Sequence, residues 1–293
     1  MAKRAPSLGK AGLEWLARLP DILGACVDRW SLQIDEPYRE LWYNYVAKAR
    51  QADELVTLKV CCPDHAIAQE VEALRLFDGG KCVRLLDWDP KLRAILLEHA
   101  EPGEMVETLK DNVAEISAAA EVMRGLWRPV PEGHFLPLAR DWLTEARDPG
   151  KLLVMKRHQP WITPALEHAA EMLMERTDSL LLHGDLHHGN ILAAQREPWL
   201  AIDPKGIVGD RAWDVGSFLF NSLKKDLPAD RAKAVRLRAD QFSEELTIDR
   251  EWLYACCVAG SLQGAFSSLR DEPDDSRNGV AAMACAEELA KGT

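Results

Sequence analysis

The stretch HGDLHHGN, from His183 to Asn190, followed after a short interval by DPKG, from Asp203 to Gly206, decides how this chain reads. Ser179 to Leu182 is a short apolar run that ends at His183, as a strand feeding a loop does. Gly184 and Gly189 let the backbone turn tightly between polar side chains. Ile191 to Ala193 and Trp199 to Ile202 read as two short strands, with Arg196-Glu197-Pro198 as the turn between them. A hairpin of this kind carries Asp203 back beside Asn190. One short segment then gathers a lone carboxylate, Asp185, and two hard oxygen donors, Asn190 and Asp203. Phosphoryl transfer needs such a set: a positioned hydroxyl, a bridging Mg²⁺ and neutralised phosphate charge. Asp185 is the candidate catalytic base for the hydroxyl proton. Asn190 and Asp203 are the candidate metal ligands.

The same residues, continued through Lys205-Gly206 to Gly209-Asp210-Arg211 and Asp214, resemble the aminoglycoside phosphotransferase family. HGDLHHGN combined with DPKG and the following GD is similar to the streptomycin and hydroxyurea phosphotransferase branch in particular. The resemblance runs from the hairpin before Lys59 to the C-terminal helices. It implies a two-lobed protein-kinase-like fold of the α+β class, with a small β-rich N-lobe (1–98) and a larger, mainly helical C-lobe (99–293). It also implies ATP and Mg²⁺ as cofactors and a small-molecule hydroxyl as acceptor, an aminoglycoside of streptomycin type or hydroxyurea. By the same resemblance Asp214 accepts hydrogen bonds from the catalytic-loop backbone, and Arg211 supports the loop by pairing with a nearby carboxylate. Asp210 is a candidate substrate contact. His183 is assigned to bonding backbone near Asp203 rather than to proton transfer. Lys205 either approaches the transferring phosphate or reaches solvent.

Working outward, the periodicity is consistent with those lobes. Gly9 to Trp30 has helical spacing and reads as two pieces broken near Pro20. Trp42 to Ala49 and Leu55 to Cys61 read as antiparallel strands turning at Gln51-Ala52-Asp53. Val56, Leu58 and Val60 share one strand face, so Lys59 lies on the other with Thr57 and Cys61. In a kinase-like fold that face covers the nucleotide and the lysine binds phosphate; outside such a fold it is a solvated strand lysine. Asp64 to Phe77 reads as a helix stopped by Asp78-Gly79-Gly80. Its apolar stripe is Ile67, Val71, Leu74 and Phe77, and Glu70 falls inside that stripe whereas Glu72 does not. An inward carboxylate wants a cation, which makes Glu70 the expected partner of Lys59. No glycine occurs between Leu41 and Leu55, a departure from the Gly-rich phosphate loop of protein kinases.

Val83 to Leu86 and Ala94 to Leu97 read as strands joined by an Asp87–Lys91 turn. The connector Glu98–Ala100 either offers its backbone to the adenine edge or is an ordinary linker. Beyond it, helices are expected at 113–127, 138–146, 162–176, 211–224, 229–244, 250–268 and 276–291.

The bulk properties set limits. The chain has 293 residues, 47% hydrophobic and 28% charged, an ordinary globular mixture. A formal net charge of −11 argues against a nucleic-acid partner and suits a cationic substrate. No apolar run has membrane-spanning length, and the basic N-terminus lacks a signal-type apolar core, so a cytoplasmic protein, monomeric or weakly dimeric, is expected. The seven cysteines lack C-x-x-C spacing and read as buried reduced thiols. The glycines around the histidines favour a loop over a zinc-binding helix. The acidic run Asp271 to Asp275 reads as a solvated turn, with the rim of a polycation site as the alternative. Two rivals stay open: a kinase of a metabolite such as a sugar, choline or homoserine, and a nucleotide-binding scaffold without catalysis.

Overall fold

The computed structural model describes residues 9–38, 43–141, 180–221 and 231–271, with further helical positions at 167, 171, 286–287 and 289–290. An antiparallel sheet is built from β1 (Leu32–Pro37), β2 (Tyr45–Gln51), β3 (Glu54–Val60), β4 (Leu85–Asp89) and β5 (Ala94–Glu98), in the order β1-β2-β3-β5-β4. Strand alternation splits its two faces. Ala47, Ala49, Val56, Leu58, Val60 and Leu96 pack under helix α1 (Gly9–Trp30), against Trp15, Leu19, Cys26 and Trp30. Cys61, Ile95 and Leu97 pack on the opposite side with helix α2 (Ile67–Phe77), and Lys59 lies on that side.

Helix α1 is continuous through Pro20, contrary to the expected break. Proline removes one helical donor and crowds the preceding turn. The apolar face on both sides of it is nevertheless buried against one sheet, and that packing outweighs the local penalty.

Helix α2 starts at Ile67, three residues later than expected. Cys62 to Ala66 form a turn instead, held from the β4–β5 connection: the Arg93 guanidinium donates to the carbonyls of Cys62 (2.8 Å) and His65 (2.6 Å). Strand β4 is likewise displaced toward the C-terminus. Cys82 and Val83 are drawn to the other lobe, where Val83 N donates to Ala201 O at 3.0 Å and Ala201 N donates to Lys81 O at 2.7 Å.

The C-terminal portion begins with helix α3 (Asn112–Leu126), capped by the Asp111 carboxylate, which accepts from Val113 N. Strand β7 (Leu180–Leu182) lies between β6 (Arg128–Pro129) and β10 (Ile207–Gly209), while β8 (Ile191–Ala193) and β9 (Trp199–Ala201) form the expected hairpin. Strands β6 and β10 are too short to leave a periodic signal. Helices α4 (Ala212–Asn221), α5 (Arg231–Leu246) and α6 (Arg250–Asp271) follow. Helix α4 meets α6 at Gly216, where a Cβ would lie 3.2 Å from the Cys257 Cα, so the two backbones approach at glycine distance. The helices expected at 138–146, 162–176 and 276–291 fall largely outside the described residues, as does the acidic run after Asp271. A small sheet lobe followed by a helical lobe with short strands is the α+β arrangement expected. Among the described residues no helix is long and apolar enough to cross a membrane.

Candidate active site

Lys59 is the hinge pin between the lobes. Its Nζ lies 2.7 and 2.8 Å from the two Glu70 carboxylate oxygens and also bonds Asp203 Oδ1, from the other lobe. Lys59 and Glu70 are 4% and 2% exposed. Burial alone would push the lysine toward its neutral form. The charges of Asp203 and Glu70 outweigh that and hold it well above the ordinary lysine range. A lone charge at this depth would be costly, so the three groups stabilise one another.

His65 was not singled out by sequence reasoning. Its Nε2 bonds Glu70 Oε2, an oxygen that Lys59 also engages. Asn44 Oδ1 accepts from Cys62 N at 2.9 Å, so Asn44 Nδ2 is the atom that faces His65 Nδ1, at 3.3 Å. The ring proton therefore sits on Nε2 and is donated to Glu70. Cys61, His65 and Glu70 place possible ligand atoms within 4.8 Å of one another. The Glu70 oxygens are already engaged by Lys59 and His65, and burial pushes the Cys61 thiol well up, away from the thiolate a metal requires.

The register sets which end of the β2–β3 hairpin lies near this site. Tyr45 pairs with Val60 and Gln51 with Glu54, so the β2–β3 turn lies at the end of these strands remote from Lys59. Asn44, at the start of β2, lies at the Lys59 end.

The His183–Asn190 segment is pinned by backbone bonds. Asp214, fully buried, accepts from His183 N (3.0 Å), Gly184 N (2.8 Å) and Trp127 Nε1 (3.1 Å). Burial raises its carboxyl despite these donors and His183. His183 Nε2 lies 2.9 Å from Ile202 O, one residue before Asp203. Gly184 has φ +83°, which a side chain would strain. Gly189 has ordinary φ and is small for another reason: its N–H donates to His187 Nδ1 (3.1 Å), and a Cβ there would meet that ring at 3.1 Å. His188 is buried and stacks on Phe218 with centroids 3.9 Å apart.

Asp185 follows, 29% exposed at the side chain, with Lys205 Nζ 2.9 Å from its Oδ2. Removal from water raises its carboxyl, but Lys205, with help from His187 and His183, holds it below the ordinary range. Asn190 Nδ2 donates to Asp185 O at 2.9 Å, which leaves its Oδ1 as the side chain's acceptor. Ile202 N donates to Asn190 O at 3.0 Å, so the hairpin does bring Asp203 back beside Asn190. Asp203 adopts φ +59° ahead of Pro204, a left-handed conformation that is uncommon for a side chain other than glycine. Loss of surrounding water pushes its carboxyl up, and the Lys59 ammonium outweighs this and holds it well below the usual range. Two ionised or amide oxygens, one on each side of the hairpin, form a donor set suited to a hard divalent cation that keeps part of its water.

Gly206 bonds the loop to α2. Its N–H and that of Lys205 both donate to His183 O, at 3.1 and 2.9 Å, and its carbonyl accepts from Gln69 Nε2 at 3.0 Å.

The remaining expected residues are placed as follows. The Glu98 N–H donates to Arg84 O at 2.9 Å, while its carboxylate holds Arg196. Ala100 is buried just beyond it. Arg211 donates to the Thr247 carbonyl at 3.0 Å, a backbone acceptor rather than the carboxylate expected. The turn after α5 brings that carbonyl within reach. Asp210 is 4% exposed, and its Oδ1 accepts from Ala212 N and Trp252 Nε1, both at 2.8 Å. It is thus joined to α4 and α6.

Residues 42–271 match a family model described as aminoglycoside/hydroxyurea antibiotic resistance kinase. The chain is 31% identical over 278 residues to streptomycin 6-kinase of Streptomyces griseus, covering 90% of this chain and 87% of that protein. It is 32% identical over 271 residues to hydroxyurea phosphotransferase of Kitasatospora aureofaciens, covering 90% and 77%. In fold it resembles a thermostable mutant of aminoglycoside phosphotransferase APH(4)-Ia, solved as a ternary complex with ADP and hygromycin B. That match has a TM-score of 0.64 at 16% identity, over 92% of this chain and 97% of the other. The extent of the family match and the identity over nine-tenths of the chain establish that this protein belongs to the aminoglycoside/hydroxyurea antibiotic resistance kinase family.

Proposed function

We propose that this chain transfers the terminal phosphoryl group of ATP to a hydroxyl of a small molecule, an aminoglycoside of streptomycin type or hydroxyurea. Residues 1–98 cover the nucleotide, and 99–293 carry the catalytic loop and the acceptor. The observation that carries this reading is the joining of Lys59 to both Glu70 and Asp203. Asp203 is in turn two residues before the amide that bonds His183, and His183 is two residues before Asp185. One continuous set of bonds therefore links a phosphate-binding cation, a metal-type carboxylate and a candidate base.

The roles follow from that placement. Lys59, held by Glu70, offers its charge to the nucleotide phosphates. The backbone of Glu98 and Ala100 offers hydrogen-bonding groups to the adenine edge. Asn190 Oδ1 and the Asp203 carboxylate are the groups that would hold Mg²⁺, which when bound neutralises phosphate oxygens. Asp185 orients the acceptor hydroxyl and takes its proton. The acceptor oxygen forms the new bond to phosphorus, and the bond from phosphorus to the bridging oxygen breaks. ADP leaves with that electron pair. His183 and Asp214 keep the loop in shape, Arg211 ties it to the turn after α5, and Asp210 anchors the wall of the acceptor cleft through α4 and α6. The net charge of −11 favours a cationic acceptor.

The test is a substrate panel with ATP and Mg²⁺: streptomycin, hydroxyurea, choline, homoserine and a hexose, with phosphorylated product read by phosphorus NMR. Transfer to a metabolite with streptomycin and hydroxyurea untouched overturns the acceptor assignment. Asp185→Asn is expected to lower kcat by about 10²–10⁴-fold with little change in ATP affinity by calorimetry. Near-normal turnover would remove Asp185 from the base role.

A further inference from the structure

Lys205 stands two residues after Asp203 and has no part in the roles assigned above. Its backbone is fixed: its own N–H and that of Gly206 both donate to the His183 carbonyl, at 2.9 and 3.1 Å. Gly206 is in turn packed against α2, where a Cβ would come within 2.5 Å of Ala73 Cβ. The base of the side chain is therefore held in place. The side chain itself is 54% exposed, and its Nζ lies 2.9 Å from Asp185 Oδ2. A four-carbon stem on an anchored base can carry its ammonium from one partner to another.

The segment His183–Asn190 contains no lysine or arginine of its own. Lys59 is held between Glu70 and Asp203 and bonds neither oxygen of Asp185 among the contacts described. Among the described residues, Lys205 is the lysine that an ion pair joins to Asp185. The chemistry requires a cation there. The phosphoryl group in transfer spreads its negative charge over three equatorial oxygens. The acceptor oxygen reaches it from beside the Asp185 carboxylate, so two anionic groups approach each other. A preplaced cation between them removes that repulsion and is worth most where water is excluded. The Lys205–Asp185 pair also occupies Oδ2, one of the two carboxylate oxygens that can take the hydroxyl proton.

We propose that Lys205 is a catalytic residue whose ammonium leaves Asp185 when the triphosphate is bound and contacts the phosphoryl group being transferred. This rests on the reading of Asp185 and Asp203 given above. The exchange frees Asp185 Oδ2 to receive the acceptor proton as the acceptor oxygen bonds to phosphorus. The bond to the β,γ-bridging oxygen breaks, and ADP departs with the electron pair. Lys205 keeps its proton throughout and contributes charge only.

The experiment uses the full chain with Lys205→Met and Lys205→Arg, with ATP, Mg²⁺ and either streptomycin or hydroxyurea. The methionine variant is expected to lose about 10²–10³-fold in kcat with the KM for ATP changed by less than about threefold. The arginine variant, which keeps the charge, is expected to recover at least about tenfold of that loss, a recovery that a packing defect would not give. Calorimetry with Mg²⁺ and either AMP-PNP or ADP supplies a second readout. The preference for the triphosphate over ADP is expected to fall at least about fivefold in Lys205→Met.

A kcat within about threefold of wild type overturns the proposal, as does an equal loss in both variants with the triphosphate preference unchanged. Lys205→Gln gives the same readouts should the methionine variant fold poorly. If wild type transfers phosphoryl to no acceptor, the functional reading above fails by itself, and the triphosphate preference alone decides the role of Lys205.

Discussion

At Gly206 one absent methyl group holds the Asp203–Gly206 segment against α2. The residue combines φ +66° with a Cβ position 2.5 Å from Ala73 Cβ and 3.4 Å from Gln69 O. No rotamer change relieves a clash with a Cβ, so the backbone must move. Gly206→Ala is expected to destabilise the protein by about 1–3 kcal/mol, measured as a lowered urea midpoint. Because Lys205 and Asp203 lie on the same strand of chain, the variant is also expected to lose activity beyond what the stability change explains. Unaltered midpoint and turnover would show that the segment tolerates displacement. Asp203 shows the complementary case, where a left-handed backbone is kept at a charged residue. Its carboxylate bonds Lys59 across the lobes and gains electrostatic stabilisation that offsets the local strain.

The β8–β9 hairpin joins the lobes through Arg196. Its guanidinium donates to both Glu98 oxygens (2.8 and 2.9 Å) and to the carbonyls of Gly79 (2.6 Å), Gly80 (3.1 Å) and Cys82 (2.8 Å). It thereby ties the connector after β5 to the turn after α2. Arg128, on β6, similarly caps the end of α2 by donating to the carbonyls of Leu76 (3.0 Å) and Phe77 (2.6 Å). Arg196→Ala strands several carbonyls and one carboxylate, and a loss of about 3 kcal/mol is expected by urea unfolding.

The Glu98–Arg196 pair also has a pH signature. Burial pushes Glu98 up from its ordinary 4.5, but the Arg196 hydrogen bonds and the Arg84 N–H outweigh this and hold it lower. A carboxyl with a depressed folded value contributes stability that is complete above its unfolded value. That stability is lost as pH falls through the folded value. Wild type is therefore expected to lose more stability than Glu98→Gln between pH 7 and the acid side of 4.5. Parallel stability curves for the two proteins would show the pair to be silent.

On the scale of the whole molecule, the site exists only where the two lobes meet. Asp203→Ala removes the inter-lobe bond to Lys59 and one candidate metal oxygen together. A ligand that binds the native state alone at 100 times its Kd raises stability by about 2.7 kcal/mol. Mg²⁺-ATP is expected to raise the wild-type melting temperature and to raise that of Asp203→Ala much less, by thermal shift with and without metal. An equal rise in both would refute the assignment of Asp203.

Much of this was legible in the sequence because it depends on local period. Alternation put Lys59 opposite Val56, Leu58 and Val60, and helical spacing put Glu70 among Ile67, Val71 and Leu74; the folded chain sets the two side chains 2.7 Å apart. The hairpin bringing Asp203 to Asn190 followed from two short apolar runs and a proline turn. What tertiary structure alone decided involves partners distant in the chain: His65 on Glu70 through Asn44, Arg196 on Glu98, Lys205 on Asp185, and α1 running unbroken through Pro20. Periodicity determines which way a side chain points, because that is a property of the neighbouring backbone. What it meets there depends on how separate elements pack, and that free energy is summed over the whole core.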